Sequence, residues 1–306
     1  MLNRQNNEYM RQCFLITFFS LIATGMNAQN ISSRNTLTES FAYRVHTIDL
    51  FFDRFNYNKN IDVIKYIQAK NPKIEFTRAR FVRSLFNLDL LQQSVEKYNL
   101  ASRFILNVTD SLTPQYLSYK DANWFANVKC KLIYKGKPTF VDVVLKVEQT
   151  KNKGFKWSVI SASGNLLNKS SVADSMAIIK DAVFQNTLRG NNFLTPVSHV
   201  LDFSGLFKFF ENKEFVMDYV TQDSIPFELK KLIYFIRKKQ VQFVSTYKIR
   251  YHLLQLPNWI LEVNYFNRPN NNSGWLISRL TYGESEYKNR YIKSTLNLII
   301  SKTNLN

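Results

Sequence analysis

Apolar residues recur at helical spacing twice in the chain, and each time a set of alternating segments comes after them. Phe41, Val45, Ile48, Phe52 and Phe55 step by four, three, four and three behind a capping-box pair, Thr36 and Glu39. That spacing predicts an amphipathic helix with an aromatic stripe. Thr195-Pro196 supplies a second N-cap and first-turn signal, after which Val200, Phe203, Phe207 and Phe210 continue at similar steps. The words LFFDRFN (Leu50 to Asn56) and LFKFFEN (Leu206 to Asn212) look related.

Period-two alternation comes next. Val128, Cys130, Leu132 and Tyr134 alternate with lysines, a turn falls at Lys135-Gly136-Lys137-Pro138, and Thr139, Val141, Val143, Leu145 and Val147 alternate again. This predicts a β-hairpin, succeeded after a polar loop by a third strand carrying Phe155, Trp157 and Val159 on one face. The second half runs the same course. Val241, Phe243, Tyr247, Ile249, Tyr251 and Leu253 are expected on one face; then come a turn at Pro257-Asn258, the Trp259 to Tyr265 strand, a polar loop and a strand with Trp275 and Ile277.

Pairing apolar face with apolar face puts Tyr134 opposite Thr139, Cys130 opposite Val143 and Lys131 opposite Asp142 in the first hairpin. The same rule puts Leu253 opposite Trp259 and Arg250 opposite Glu262 in the second. Outward acid-base pairs of this kind give these acids a structural use.

The pattern therefore predicts an α+β fold of two tandem units, each with helices packed on a curved antiparallel sheet. The expected bounds are a signal peptide over 1–28, a first unit over 29–165, a linker helix within 166–194 and a second unit over 195–306. An insertion around 70–112, with a basic helical stretch from Phe76 to Leu91, lengthens the first unit. Val172, Met176, Ile179 and Val183 mark the linker helix.

The first residues read as an address. Arg4 and Arg11 precede the apolar or hydroxyl run Cys13 to Thr24, and Gly25 and Ala28 offer small residues for cleavage before Gln29 or Asn30. The run is shorter than the roughly twenty residues of a relaxed transmembrane span. Export to the periplasm or cell surface of a Gram-negative bacterium is the expectation; an uncleaved anchor is the rival. Cys130 is then left without an intramolecular partner, and its place on the apolar side of a strand reads as a small buried hydrophobe.

Composition narrows the function classes. With 25 Phe and 16 Tyr against 8 Gly and 7 Pro in 306 residues, a large core can form, which excludes a disordered or low-complexity chain. Two cysteines exclude a disulfide scaffold, and no zinc-type Cys/His spacing is present. The formal net charge is +18. Arg78, Arg80 and Arg83 concentrate part of it, as do Lys230, Lys231, Arg237, Lys238 and Lys239. For an exported protein this suits an anionic envelope component or an acidic protein partner better than nucleic acid, with membrane contact only peripheral once the signal peptide is removed.

Catalytic signals are sparse. His46, Asp49 and Asp53 fall at i, i+3 and i+7 of the first predicted helix, a spacing that would let Asp49 orient an imidazole base or let all three ligate a metal. A solvated helix flank explains the same residues. No nucleophile elbow, phosphate-binding glycine loop or HExxH motif occurs, and no cofactor or metal is expected. Tyr247, Tyr251, Trp259, Tyr265 and Trp275 on one strand face read as core filling or as an apolar or glycan-stacking pocket.

A leading helix, a second helical segment and long antiparallel strands ending in a Trp-bearing strand resemble the cone-shaped α+β fold of the nuclear transport factor 2-like superfamily. The resemblance spans roughly residues 36 to 163 and 195 to 283. It implies a pocket between helices and sheet, which in the superfamily's enzymes holds an Asp or His base. The inward strand positions here carry neither. The leading expectation is a non-catalytic binding or assembly module; the alternatives are an enzyme on a small apolar or sugar-like molecule, and a subunit of a conjugation or secretion machine.

Overall fold

A computed structural model describes residues 43–58, 77–150, 152–168 and 191–298, with a few isolated positions between them. The signal-peptide stretch, Phe41 and most of the linker segment lie outside the described residues. In chain order the elements are α1 (Ile48–Asn56), α2 (Arg78–Ser84), α3 (Leu88–Gln92), α4 (Val95–Val108), β1 (Trp124–Tyr134), β2 (Lys137–Gln149), β3 (Phe155–Ser163) and α5 (Asn165–Asn168). Next come α6 (Phe207–Glu211), α7 (Phe227–Arg237), β4 (Val241–Leu253), β5 (Trp259–Phe266), β6 (Gly274–Tyr282) and α8 (Ser285–Thr295). Short 3-10 turns lie at Pro196–His199, Ser204–Leu206 and Val216–Tyr219.

The fold is α+β, and its six strands form one open antiparallel sheet in the order β3-β2-β1-β4-β5-β6. Each half of the chain supplies a three-stranded meander, and β1 lies against β4 over eleven paired positions. The two predicted units therefore share a single sheet.

Turn chemistry sets the hairpin registers and corrects the expected ones. Lys135 (φ 47°) and Gly136 (φ 78°) are both left-handed, so β1 and β2 join through a two-residue turn of the kind that matches strand twist. Tyr134 therefore opposes Lys137, Leu132 opposes Thr139, Cys130 opposes Val141 and Asp142 opposes Lys129 rather than Lys131. The shift is by two, so every side chain keeps its face. The β4–β5 turn is longer than expected, and Leu253 opposes Leu261, His252 opposes Glu262 and Arg250 opposes Asn264.

One face of the sheet carries the main core. Trp124, Val128, Cys130, Val143, Trp157, Tyr251, Leu261 and Ile277 pack there beneath Phe51, Phe52 and Phe55 of α1, Phe104 of α4 and Leu232 of α7. Burial pushes the Cys130 thiol pKa up, which keeps it protonated. The opposite face holds a smaller cluster, Phe125, Val144, Ile160, Leu254 and Ile260, covered by Tyr291 of α8 and by Leu296.

Both leading helices are shorter than their spacing predicts. Thr47 caps α1, its side chain accepting from Leu50 N at 3.2 Å, so Val45 and His46 precede the helix. Val45 instead bridges Gly274 of β6 in parallel. Gly274 permits this approach: its φ is +94°, and a Cβ there would lie 2.1 Å from Val45 O. The second helix breaks at Asp202 (φ 48°) and Phe203 (φ 53°). Phe203 is fully buried against Trp157, ring centroids 5.1 Å apart, so packing outweighs the helical spacing and holds a bulky residue in a left-handed conformation. The described part of the basic stretch, 77–91, is likewise divided, into α2 and α3, because Leu85 and Asn87 pair with Ile277 of β6.

The outermost strands are covered. Val45 and Phe86 each form a bridge to β6, and Leu194 and Val220 do so to β3. These short passes satisfy edge groups that would otherwise recruit another strand.

Candidate functional site

The longest strand of the second meander, β4, runs past its neighbour. β1 pairs it from Val241 to Leu253, whereas β5 pairs only Arg250 to Leu253. The two strands part below Arg250, and a cleft of about 530 Å³ opens there. Its lining comprises Thr246, Tyr247, Lys248 and Ile249 of β4, Tyr265, Trp275, Asp202 and His46.

Each wall has a local cause. His46 is delivered by the Val45–Gly274 bridge and by Arg54, a buried α1 residue that donates to Tyr43 O at 2.6 Å and Arg44 O at 3.1 Å. Burial lowers the Arg54 pKa to about 10. Asp202 sits in the left-handed kink anchored by Phe203, and burial raises its carboxyl pKa. Arg44 donates to Tyr265 Oη at 2.6 Å and Asn267 Oδ1 at 2.9 Å, fixing the tyrosine at the rim. Trp275 packs edge-on against Tyr265 at 5.4 Å and against Tyr251 at 4.9 Å. The Tyr251 hydroxyl is buried and has no hydrogen-bond partner among the described residues.

Tyr247 reaches this cleft by a route that alternation does not foresee. Lys129 opposes Lys248 but Cys130 opposes Thr246, and Lys131 opposes Ser245 but Leu132 opposes Phe243. β4 thus carries an extra residue twice, at Tyr247 and Val244, and each bulge reverses the parity of the residues beyond it. Both residues are exposed, Tyr247 by 66%, and Tyr247 meets Phe140 at 5.2 Å on the lysine-bearing face of the sheet. Among the expected pocket residues, then, Tyr247, Tyr265 and Trp275 line one cleft and Tyr251 backs Trp275. Trp259 lies elsewhere: it packs against Phe104 of α4 at 5.1 Å and donates to Asn107 Oδ1 at 2.9 Å.

The acid-base cluster predicted on α1 is dispersed. His46 precedes the helix and faces the cleft, and Asp53 accepts from Asn58 Nδ2 at 3.4 Å. Asp49 pairs with a residue 150 positions away, His199, at 2.9 Å. The carboxylate can only accept, so His199 Nε2 carries the proton. His199 Nδ1 then accepts from the Trp157 indole N–H at 3.3 Å, and that N–H also donates to Pro196 O at 3.0 Å. Both imidazole nitrogens are thereby committed. A smaller apolar pocket of about 280 Å³ adjoins this pair, with Tyr119, Phe155, Val197 and Val200 in its walls.

The third histidine is sealed on the other face. Glu262 accepts from Tyr291 Oη at 2.9 Å and from Arg279 at 3.2 Å, and His252 Nδ1 lies 2.7 Å from the same Tyr291 oxygen. Burial, followed by Arg250 and Arg279, lowers the His252 pKa to about 3, so the ring is neutral. Neither His199 nor His252 has an obvious partner in the sequence, because each partner comes from a distant element.

The basic residues divide as well. Arg78 turns inward, donating to Phe55 O at 3.0 Å, to Val108 O at 2.7 Å and to Gln115 O, with its guanidinium 4.2 Å from the Tyr116 ring centroid. Lys231 is 3% exposed and donates to Leu167 O. Both are structural, which corrects their placement on a binding surface. Arg80, Arg83, Lys238 and Lys239 are exposed, while Lys230 and Arg237 are half-buried. Among the described residues no group of three or more His, Cys, Asp or Glu is placed to hold a metal ion. No described helix is long and apolar enough to cross a membrane.

Comparison with family models, with curated proteins and with solved structures finds no match for the chain.

Proposed function

We propose that the protein is an exported envelope module that binds an anionic partner without transforming it, using the cleft beside β4 and the basic residues Arg80, Arg83, Lys238 and Lys239. The cleft carries this reading: aromatic walls from Tyr247, Tyr265 and Trp275 meet a rim with Lys248 and Arg44. Stacking surface with a few convergent polar groups is the chemistry of a binding site. The commitment of both His199 nitrogens and the sealing of neutral His252 favour binding over acid-base turnover. We further propose that the two halves are copies of one unit of the nuclear transport factor 2-like kind, fused through β1 and β4; the mirror order of the strands supports this.

A second reading, an enzyme on a small apolar or sugar-like molecule, is favoured by one observation: His46 and Asp202 line the same cleft. On that reading His46→Gln abolishes turnover of the ligand.

The test is a thermal-shift screen of the purified protein against anionic glycan fragments, phosphate-bearing lipid headgroups and acidic peptides. The expected result is that one class raises the melting temperature of the wild type and leaves the Tyr247→Ala/Tyr265→Ala variant unmoved. Both tyrosines are exposed, so the variant keeps the core. Stabilisation that survives in the variant, or appears with no class, removes the cleft as the binding site.

A further inference from the structure

The cleft has an unusual wall. Thr246, Tyr247, Lys248 and Ile249 are consecutive strand residues, and side chains of consecutive residues cannot all enter one cavity. What these four share is the backbone edge of β4. β5 pairs only the last four residues of β4, and no residue from 242 to 249 makes a hydrogen bond on that edge among the described residues. The chain treats its outermost strands differently, bridging β3 and β6 at two points each. An interior strand is thus left unpaired by β5 from 242 to 249, and Thr246 to Ile249 of that stretch face a cavity.

We infer that this edge receives an extended peptide that adds to the sheet as a strand, its side chains alternating between acidic and apolar. The inference rests on the cleft being a binding site, and it specifies the ligand. Backbone groups of β4 supply the hydrogen bonds, as in strand addition generally. The side-chain pattern is set by the two faces. On the outer face an added strand meets Lys248 of β4, which lies directly opposite Lys129, and behind Ser245 it faces Lys131 of β1, so positive charge gathers on that side of the edge. On the inner face it meets Tyr265, Trp275 and Ile249, with Asp202 the one carboxylate lining the cavity among the described residues. The net charge of +18 favours an acidic partner over a second copy of this basic chain. The bulges at Tyr247 and Val244 and the charge of Lys248 are devices that keep an open edge from pairing with itself.

The probe is an acetylated, amidated octapeptide of alternating Glu and Val, added to the purified protein. Binding is expected by calorimetry, together with slowed amide exchange at residues 242–249. The same octapeptide, N-methylated at alternate residues along one edge, is expected to bind at least about tenfold more weakly, since its charge is unchanged and its ladder bonds are lost. Equal binding of the methylated peptide, or protection elsewhere than 242–249, overturns the inference. So does a concentration-dependent dimer already protected at 242–249 without peptide, which assigns the edge to a second copy. If a glycan or headgroup binds through Tyr247 and Tyr265 while the octapeptide does not, strand addition fails and the binding reading stands. If nothing binds there, both fail.

Discussion

His252 is a histidine held where its charged form is strongly disfavoured. Burial, with Arg250 and Arg279 nearby, brings its pKa from 6.5 to about 3 in the folded protein, and its Nε2 has no partner among the described residues. Between pH 3 and 6.5 the unfolded chain therefore binds more protons at this site than the folded one, so stability rises with pH across that window and is flat above about pH 7. As pH falls, this group alone removes up to about 1.4 kcal/mol per pH unit. Urea unfolding from about pH 4 to pH 7 is expected to give a steeper acid limb for the wild type than for His252→Gln. Parallel limbs would mean that His252 charges in the folded state.

At the scale of elements, Arg78 of α2 ties α1 and α4 together through carbonyls at their ends and holds the loop after α4 through Gln115. Arg78→Met should cost about 2 to 4 kcal/mol by leaving these acceptors without their donor, and Arg78→Lys should recover only part, because an ammonium cannot fork to them. Arg80→Met and Arg83→Met, at exposed positions, should stay within about 0.5 kcal/mol. A chemical-denaturation series over the four variants checks the ranking. Element type was legible in the sequence wherever it was local. All six strands lie where alternation places them, since the face under the main core imposes period two. Registers failed by two residues, because the turn at Lys135-Gly136 is tighter, and the one after Leu253 longer, than apolar matching alone requires. The long helices failed because Val45 is claimed by β6 and Phe203 by Trp157, which are contacts no local spacing encodes. Part of the cleft was legible as an aromatic set, but the bulges that expose Tyr247 and the pairing of Asp49 with His199 come from tertiary structure.

For the molecule as a whole, the decisive contact is the β1–β4 seam. Eleven paired positions join the halves, and Trp124 of β1 stacks with Tyr251 of β4 at 5.9 Å. Separating the halves would expose both rings and leave β1 and β4 as open edges, so a single cooperative unfolding transition is expected, with far-ultraviolet dichroism and tryptophan fluorescence superimposing. Two separated transitions would show that the halves are stable apart. The fully buried indoles of Trp124 and Trp157, 4.6 Å apart at an interplanar angle of 67°, also give the protein an intrinsic optical signature. Two chromophores so close and so steeply inclined couple their excited states, which yields a paired band of opposite rotational strength. That couplet arises beside the seam rather than at the cleft that Trp275 lines, so it reports the integrity of the shared sheet and nothing of the cleft.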